Sequence, residues 1–134
     1  MITAQAAKCV ISREQLRSEL TAAAGQAGTA KAELRPAIVK ILKSALEQSH
    51  LLAEQQLIAD GEGTRCAESL SLAEDEIIRS LFDLASNHLF PAKGSEEKIA
   101  VVAVGGYGRG TLAPGSDIDL LFVLPARQTE RVQN

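Results

Sequence analysis

Two aspartates separated by one residue carry the clearest chemical signal in this sequence. Asp117 and Asp119 open the apolar run 118–124, which has the composition of a strand. Residues two apart on a strand face the same side, so both carboxylates are expected together while Ile118 and Leu120 point into the core. Adjacent acids repel each other unless a cation lies between them, and hard oxygen ligands suit Mg²⁺. Asp117 and Asp119 are therefore predicted to be catalytic metal ligands.

A glycine-rich turn precedes the aspartates by about ten residues. Gly105 and Gly106 follow an apolar run directly, and glycine lets backbone N–H groups approach phosphate oxygens closely. Arg109 offers a planar, two-pronged phosphate donor, and Ser116 offers a hydroxyl beside the acids. These four residues are predicted to bind phosphate groups of a ligand.

Two other motif interpretations fail on their context. Residues 108–113 match a dinucleotide-binding fingerprint, but that fingerprint must open a long helix, and Pro114 and Gly115 prevent one. Residues 117–119 also begin like a calcium-binding loop, but the third ligand of such a loop and the glycine at its sixth position are absent.

The elements that must position these residues are two helices and two strands. Apolar spacing predicts helices over 31–60 and about 64–89, joined as an antiparallel hairpin by a turn containing Gly61 and Gly63. The acids 74–76 are expected to face water or to lie near a second helix start. Residues 99–104 and 118–124 are predicted strands, the first buried on both faces.

The first thirty residues carry fewer order signals. Residues 1–30 are predicted to be a flexible segment with one short helix near Ser12, and 21–30 a flexible joint. The fold class is therefore α+β, with a helical region over 31–97.

Composition limits the other functions of the chain. It has 134 residues and a net charge of −3 without a basic stripe, so no nucleic acid is expected as a partner. Its apolar runs are too short to span a bilayer, so no membrane partner is expected.

Cys9 and Cys66 match no metal spacing and are predicted to be free thiols in a cytoplasmic protein. His50 and His88 have no partners at ligand spacing, so a structural role is predicted for both.

The motif residues closely resemble a known family. They are Val104 to Gly110, then Leu112, Pro114 and Ser116 to Leu121. This pattern is similar to that of the bacterial PII-protein uridylyltransferase/uridylyl-removing enzymes, which belong to the DNA polymerase β-like nucleotidyltransferases. The resemblance implies that 98–134 begin such a core, that Asp117 and Asp119 bind Mg²⁺, and that Gly105, Gly106 and Ser116 contact UTP, with Arg109 a further phosphate contact.

The same resemblance implies an activity. Such an enzyme transfers UMP from UTP to a tyrosine of the PII signalling protein and releases pyrophosphate. Family members also carry a hydrolase domain that removes UMP, glutamine-sensing domains, and a third carboxylate on a later strand. Because only Glu130 follows Asp119 among the acids, the chain is expected to be an N-terminal fragment that is inactive alone.

Two alternatives remain open from the sequence. One is a different polymerase β-like nucleotidyltransferase that transfers an adenylyl group to a protein. The other is a non-catalytic module in which the helical hairpin binds a partner. Selectivity for UTP over ATP would favour a uridylyltransferase over the first alternative. A protein that binds neither Mg²⁺ nor nucleotide would favour the second alternative.

Overall fold

The computed structural model describes residues 11–27, 31–94 and 97–133. Three long helices come first and a two-stranded sheet follows, which confirms the α+β class. In chain order the elements are α1 (Arg13–Ala27), α2 (Lys31–Asp60), α3 (Gly63–Leu84) with a π-helical turn (Ala85–Leu89), β1 (Ala100–Val104), α4 (Gly105–Gly108), β2 (Asp119–Val123) and α5 (Glu130–Gln133).

The helical hairpin forms as predicted. The α2 helix ends where Gly61 adopts a φ of 71° and its N–H bonds back to the carbonyl of Leu57 at 2.8 Å. Only a residue without a Cβ takes this left-handed conformation at little cost, so the glycine ends the helix and lets α3 turn back. The α3 helix packs along α2.

The N-terminal helix is longer than predicted. The expected joint begins at Thr21, but α1 continues through Ala27, and residues 28–30 lie outside the described part. Alanines at 22–24 favour a helix, and Leu16 and Leu20 are anchored against the hairpin. Packing of this apolar stripe therefore outweighs the helix cost of Gly25.

Two groups of buried side chains hold the described residues together. The helical cluster joins α1 to α3 through Leu16, Leu20, Ile77 and Leu84, and partly buried apolar residues of α2 pack against it. The turn cluster joins the hairpin to the loop that follows β1, through Ala53, Cys66, Leu70, Tyr107 and Leu112. The second cluster positions the chemically interesting segment on the helices.

The acids of α3 do not behave as predicted. The helix is unbroken from Gly63 to Leu84, and the hydroxyl of Ser71 donates to the carbonyl of Ala67 at 3.0 Å instead of starting a second helix. Glu74 is only 8% exposed, so the expected solvated acidic face is wrong at this position. The α3 helix is covered on two sides, by α1 and α2 and by the loop that follows β1, and this leaves little room for a solvated face.

The strands pair antiparallel, with Val104 opposite Asp119 and Ala100 opposite Val123. The prediction that the first strand is buried on both faces is wrong for this chain. Helices cover only one face, and Val102, Leu121 and Val123 are exposed on the other. In the described part of the chain the sheet has two strands, and no further layer lies over its outer face.

The last described residues fold back beside the end of α3. Arg131 donates to the carbonyls of Phe90 and Glu97, each at 2.6 Å, and Thr129 donates to the carboxylate of Glu97 at 2.7 Å. These bonds position α5 away from the aspartates. Across the described ranges, none of the helices combines the length and apolarity required to cross a bilayer.

Candidate active site

The diglycine bend touches the second aspartate of the pair. Gly105 adopts a φ of 64° directly after β1, and a Cβ placed on it would lie 2.6 Å from Oδ2 of Asp119. The strand register explains this contact, because Val104 and Asp119 are partners. Any side chain at 105 would therefore displace the Asp119 carboxylate from this position as well as strain the backbone.

The aspartate segment shows the alternation that its sequence predicts. Ile118 and Leu120 are partly buried against the turn cluster, whereas Asp117 and Asp119 are exposed. Asp119 is the first residue of β2, and Asp117 lies just before the strand. Both carboxylates are therefore open to solvent and free of the apolar layer beneath them.

The other predicted phosphate-binding residues lie around this bend. Arg109 is exposed, and its Nη2 lies 3.8 Å from where a Cβ of Gly106 would be, so the guanidinium extends over the second glycine. Ser116 is also exposed and follows a turn in which its N–H donates to the carbonyl of Ala113 at 3.1 Å. The antiparallel pairing of β1 and β2 brings the glycines and Asp119 to one end of the sheet.

The α4 helix is pressed against β1. A Cβ on Gly108 would meet the carbonyl oxygen of Ala103 at 2.5 Å, which is closer than real Cβ contacts come. Glycine at 108 therefore permits the sharp return of the chain over its own strand. Sequence reasoning assigned this residue no separate role, although its position within the glycine run was the available signal.

Two residues of α3 hold the loop from below, and sequence reasoning missed both. Tyr107 is 5% exposed and its hydroxyl donates to Oδ1 of Asp75 at 2.8 Å. The N–H of Leu112 donates to the hydroxyl of Ser71 at 2.9 Å. The available signal was the four-residue spacing of Ser71 and Asp75, which puts two polar groups on one helix face.

Electrostatics at this contact favour a neutral tyrosine. Burial raises the pKa of Tyr107 well above its usual range, and the hydrogen bond to Asp75 raises it further. The hydroxyl therefore remains a donor at all physiological pH values. Burial likewise raises the pKa of Glu74, an effect that nearby His50 partly offsets.

The donor set available for a metal is two carboxylates. Asp117 and Asp119 are both exposed and supply hard oxygen ligands of the type that Mg²⁺ takes, so the residues present suit part of such a site. No group of three or more His, Cys, Asp or Glu side chains suited to a metal occurs among the described residues. Glu130 lies in α5 and does not complete the set.

The remaining candidates of the sequence do not enter the site. His50 and His88 are exposed on the helices. Cys66 is a buried free thiol in the turn cluster, and Cys9 lies outside the described residues.

Comparison with known proteins finds relatives that match most of this chain. The nucleotidyltransferase domain family matches residues 89–134, which include the bend and both aspartates. A bifunctional uridylyltransferase/uridylyl-removing enzyme of Bradyrhizobium sp. (strain BTAi1) is 46% identical over 116 residues, which are 85% of this chain and 12% of that protein. The chain belongs to this enzyme family.

Further relatives carry the same name. The enzyme of Rhodopseudomonas palustris is 49% identical over 100 residues, covering 73% of this chain and 11% of the relative. That of Phenylobacterium zucineum is 42% identical over 127 residues, covering 93% and 14%. The chain thus spans about an eighth of the length of these uridylyltransferase/uridylyl-removing enzymes. No solved structure matches it significantly.

Proposed function

We propose that this chain supplies the first part of the active site that transfers UMP from UTP to a tyrosine hydroxyl of the PII signalling protein. The observation that carries the proposal is the contact of the Gly105 bend with the Asp119 carboxylate. It occurs in a chain whose relatives are named uridylyltransferases and whose matched domain is a nucleotidyltransferase. The reaction would take place in the cytoplasm.

The bend and the residues around it each bind either the phosphates or the metal ion in this proposal. Backbone N–H groups of Gly105 and Gly106 and the hydroxyl of Ser116 bind phosphate oxygens of UTP, and Arg109 adds a charged donor. Asp117 and Asp119 hold Mg²⁺, which when bound neutralises charge on the phosphates and orients them. In the transfer, the tyrosine oxygen bonds to the α-phosphorus as the bond to pyrophosphate breaks, and the tyrosine proton leaves to a base or water.

A third carboxylate, the uracil pocket, the removal of UMP and the response to glutamine would belong to parts of the relatives beyond the aligned stretch. The 134-residue chain is accordingly expected to be inactive by itself. Measurable UMP transfer to PII by the purified chain would contradict this expectation.

The test uses the complete product of the gene with Mg²⁺, labelled UTP and PII protein. Replacing Asp119 by Asn should reduce UMP transfer at least about a hundredfold, because a metal ligand that acts on the transition state is lost. Asp83→Asn, on the far part of α3, is the control and should retain transfer. Full activity of Asp119→Asn would remove Asp119 from the site.

The same assay separates the alternatives. Transfer of AMP from ATP in preference to UMP would indicate an adenylyltransferase. If the complete protein binds neither Mg²⁺ nor nucleotide, a non-catalytic interaction module built on the helical hairpin becomes the better explanation.

A further inference from the structure

The loop that contains the bend has two buried attachment points. Between residues 105 and 117, Tyr107 and Leu112 are 5% and 3% exposed, whereas most of the other residues in this stretch are exposed. Both buried residues insert into the turn cluster against α3. The location of the loop relative to the sheet therefore depends on how these two residues are held.

Each attachment point combines packing with one directed hydrogen bond. The Tyr107 hydroxyl reaches Asp75, and the Leu112 N–H reaches Ser71, at 2.8 and 2.9 Å. Asp75 and Ser71 lie one turn apart on α3 and so bind the loop on both sides of Gly108 and Arg109. Bonds to a rigid helix select one orientation of the loop, which apolar contact alone does less well.

This orientation decides the geometry of the bend. Gly105 and Gly106 precede Tyr107 directly, and the chain from Leu112 reaches Asp117 after five residues and Asp119 after seven. A rotation of the loop would change the distance between the Gly105 backbone and the Asp119 carboxylate, which is set closely in this structure.

We propose that Asp75 and Ser71 are positioning residues for nucleotide binding: through Tyr107 and Leu112 they fix the diglycine bend against Asp119. The role in nucleotide binding rests on the proposed function, whereas the attachment of the loop to α3 does not depend on it. The helical hairpin would then be part of the nucleotide site, although none of its side chains touches the nucleotide.

The chemistry of the Tyr107 contact suits a permanent attachment. The groups near its hydroxyl are Asp75, Glu74 and Arg79, and Arg79 forms an ion pair with Asp75 at 3.4 Å. The phenol remains protonated in this environment, so the bond persists over the pH range in which a transferase would work.

The first experiment needs no activity. Amide hydrogen exchange is measured on the 134-residue chain and on the Tyr107→Phe, Asp75→Ala and Asp83→Ala variants. Tyr107→Phe keeps the ring and removes only the donor. Asp83 is the matched control, because it lies on the same helix and also has an ion pair of 3.4 Å, to Arg17. Exchange of the amides in 105–112 should accelerate about tenfold in the first two variants and remain unchanged in the control.

The second experiment measures UMP transfer by the complete gene product carrying the same variants. Tyr107→Phe and Asp75→Ala should raise the KM for UTP about tenfold with less than a threefold change in kcat, since the bend binds substrate phosphates before and during reaction. Asp83→Ala should leave both constants unchanged.

The outcomes are distinguishable. Faster exchange throughout the chain, or equal effects in the Asp83 control, would show that Asp75 only stabilises the fold and would overturn the proposal. Faster exchange confined to the loop with an unchanged KM would refute its link to nucleotide binding. A parent protein that neither binds UTP nor transfers UMP would refute the proposed function, while the exchange data would still decide whether α3 holds the loop.

Discussion

Gly108 shows how one missing side chain lets the loop return across its own strand. A Cβ there would lie 2.5 Å from the carbonyl oxygen of Ala103 and 2.9 Å from its carbon, and backbone atoms cannot move aside as a flexible side chain can. We expect Gly108→Ala to lower the free energy of unfolding by about 1–3 kcal/mol, as overpacking of a fixed interior does. Urea denaturation measures this loss.

The control for this substitution is Gly25→Ala. Gly25 lies in α1 with nothing within 4 Å of a Cβ, so alanine should stabilise the helix by about 0.5–1 kcal/mol. Equal effects at the two positions would mean that the close approach at Gly108 does not exist in solution.

Glu74 is a buried acid whose charge opposes folding. Its pKa is raised by burial, so the folded state binds the proton more tightly than the unfolded chain does. The stability that protonated Glu74 contributes is present below its unfolded pKa of about 4.5 and is lost as the pH rises through its pKa in the folded state. We expect Glu74→Gln to be more stable than the parent at pH 7, with a difference that disappears toward pH 4.

Thermal or urea unfolding across pH 4 to 8 tests this expectation. Glu68→Gln, at an exposed position of the same helix, should change stability by less than about 0.5 kcal/mol. A loss of stability in Glu74→Gln at pH 7 would show that the carboxylate has a favourable partner that outweighs its burial.

At the scale of elements, α1 is held to α3 by an arginine that grips one carboxylate with two N–H groups. Arg13 donates through Nε and Nη2 to the two oxygens of Glu76, whereas Arg17 makes one looser ion pair with Asp83 at 3.4 Å. After allowance for the exposure of Arg13, we expect Arg13→Ala to cost about 1 kcal/mol and Arg17→Ala less than about 0.5 kcal/mol in urea unfolding.

The dependence on pH identifies the origin of that cost. The hydrogen bond from Arg13 is the main reason that the pKa of Glu76 is lowered. The stability from this pair is present above the unfolded pKa of about 4.5 and is lost as pH falls through the folded value. The difference between the parent and Arg13→Ala should therefore close in acid, and a difference that persists at pH 3 would indicate lost packing instead.

The elements also show where local sequence patterns mislead. Ser71 and Glu74 have the spacing of a capping box, yet both lie inside α3, because the hydroxyl of Ser71 bonds back to Ala67 and accepts from Leu112. A motif of two residues has no information about the loop that packs on it from forty residues away. The burial of Glu74 was missed for the same reason, since it depends on segments that are distant in sequence, among them His50 of α2 and Tyr107.

At the scale of the whole molecule, the sheet has one face that packs on the helices and a second, apolar face that is exposed. Leu120 is partly buried against the turn cluster, while its neighbour Leu121 is 53% exposed on the other face. We expect Leu120→Gln to lower the free energy of unfolding by about 1–2 kcal/mol, because roughly half a buried leucine is lost. Leu121→Gln should change it by less than about 0.5 kcal/mol and should reduce self-association of the chain.

Urea unfolding and light scattering of the two variants measure these effects. Similar losses for both would indicate that the outer face is also covered in solution, for example by a second copy of the chain. The pair is well matched, because the residues are adjacent and the substitution is the same.

The sequence by itself determined the helical hairpin, the two strands and the proximity of the glycine bend to the aspartates. Helical and strand periodicities are local, and Gly105 and Asp119 are separated by one short loop, so pairing of the strands left few alternatives. Their chemical roles remain proposals that the structure supports through the contact at Gly105.

The tertiary structure alone decided what holds that bend. Neither Asp75 nor Ser71 is close in sequence to Tyr107 and Leu112, and both look like ordinary polar residues of an exposed helix. Burial, and with it the protonation of Tyr107 and Glu74, depends on which surfaces meet. Which surfaces pack together depends on contacts between segments that are distant in sequence, and a local sequence pattern contains no information about them.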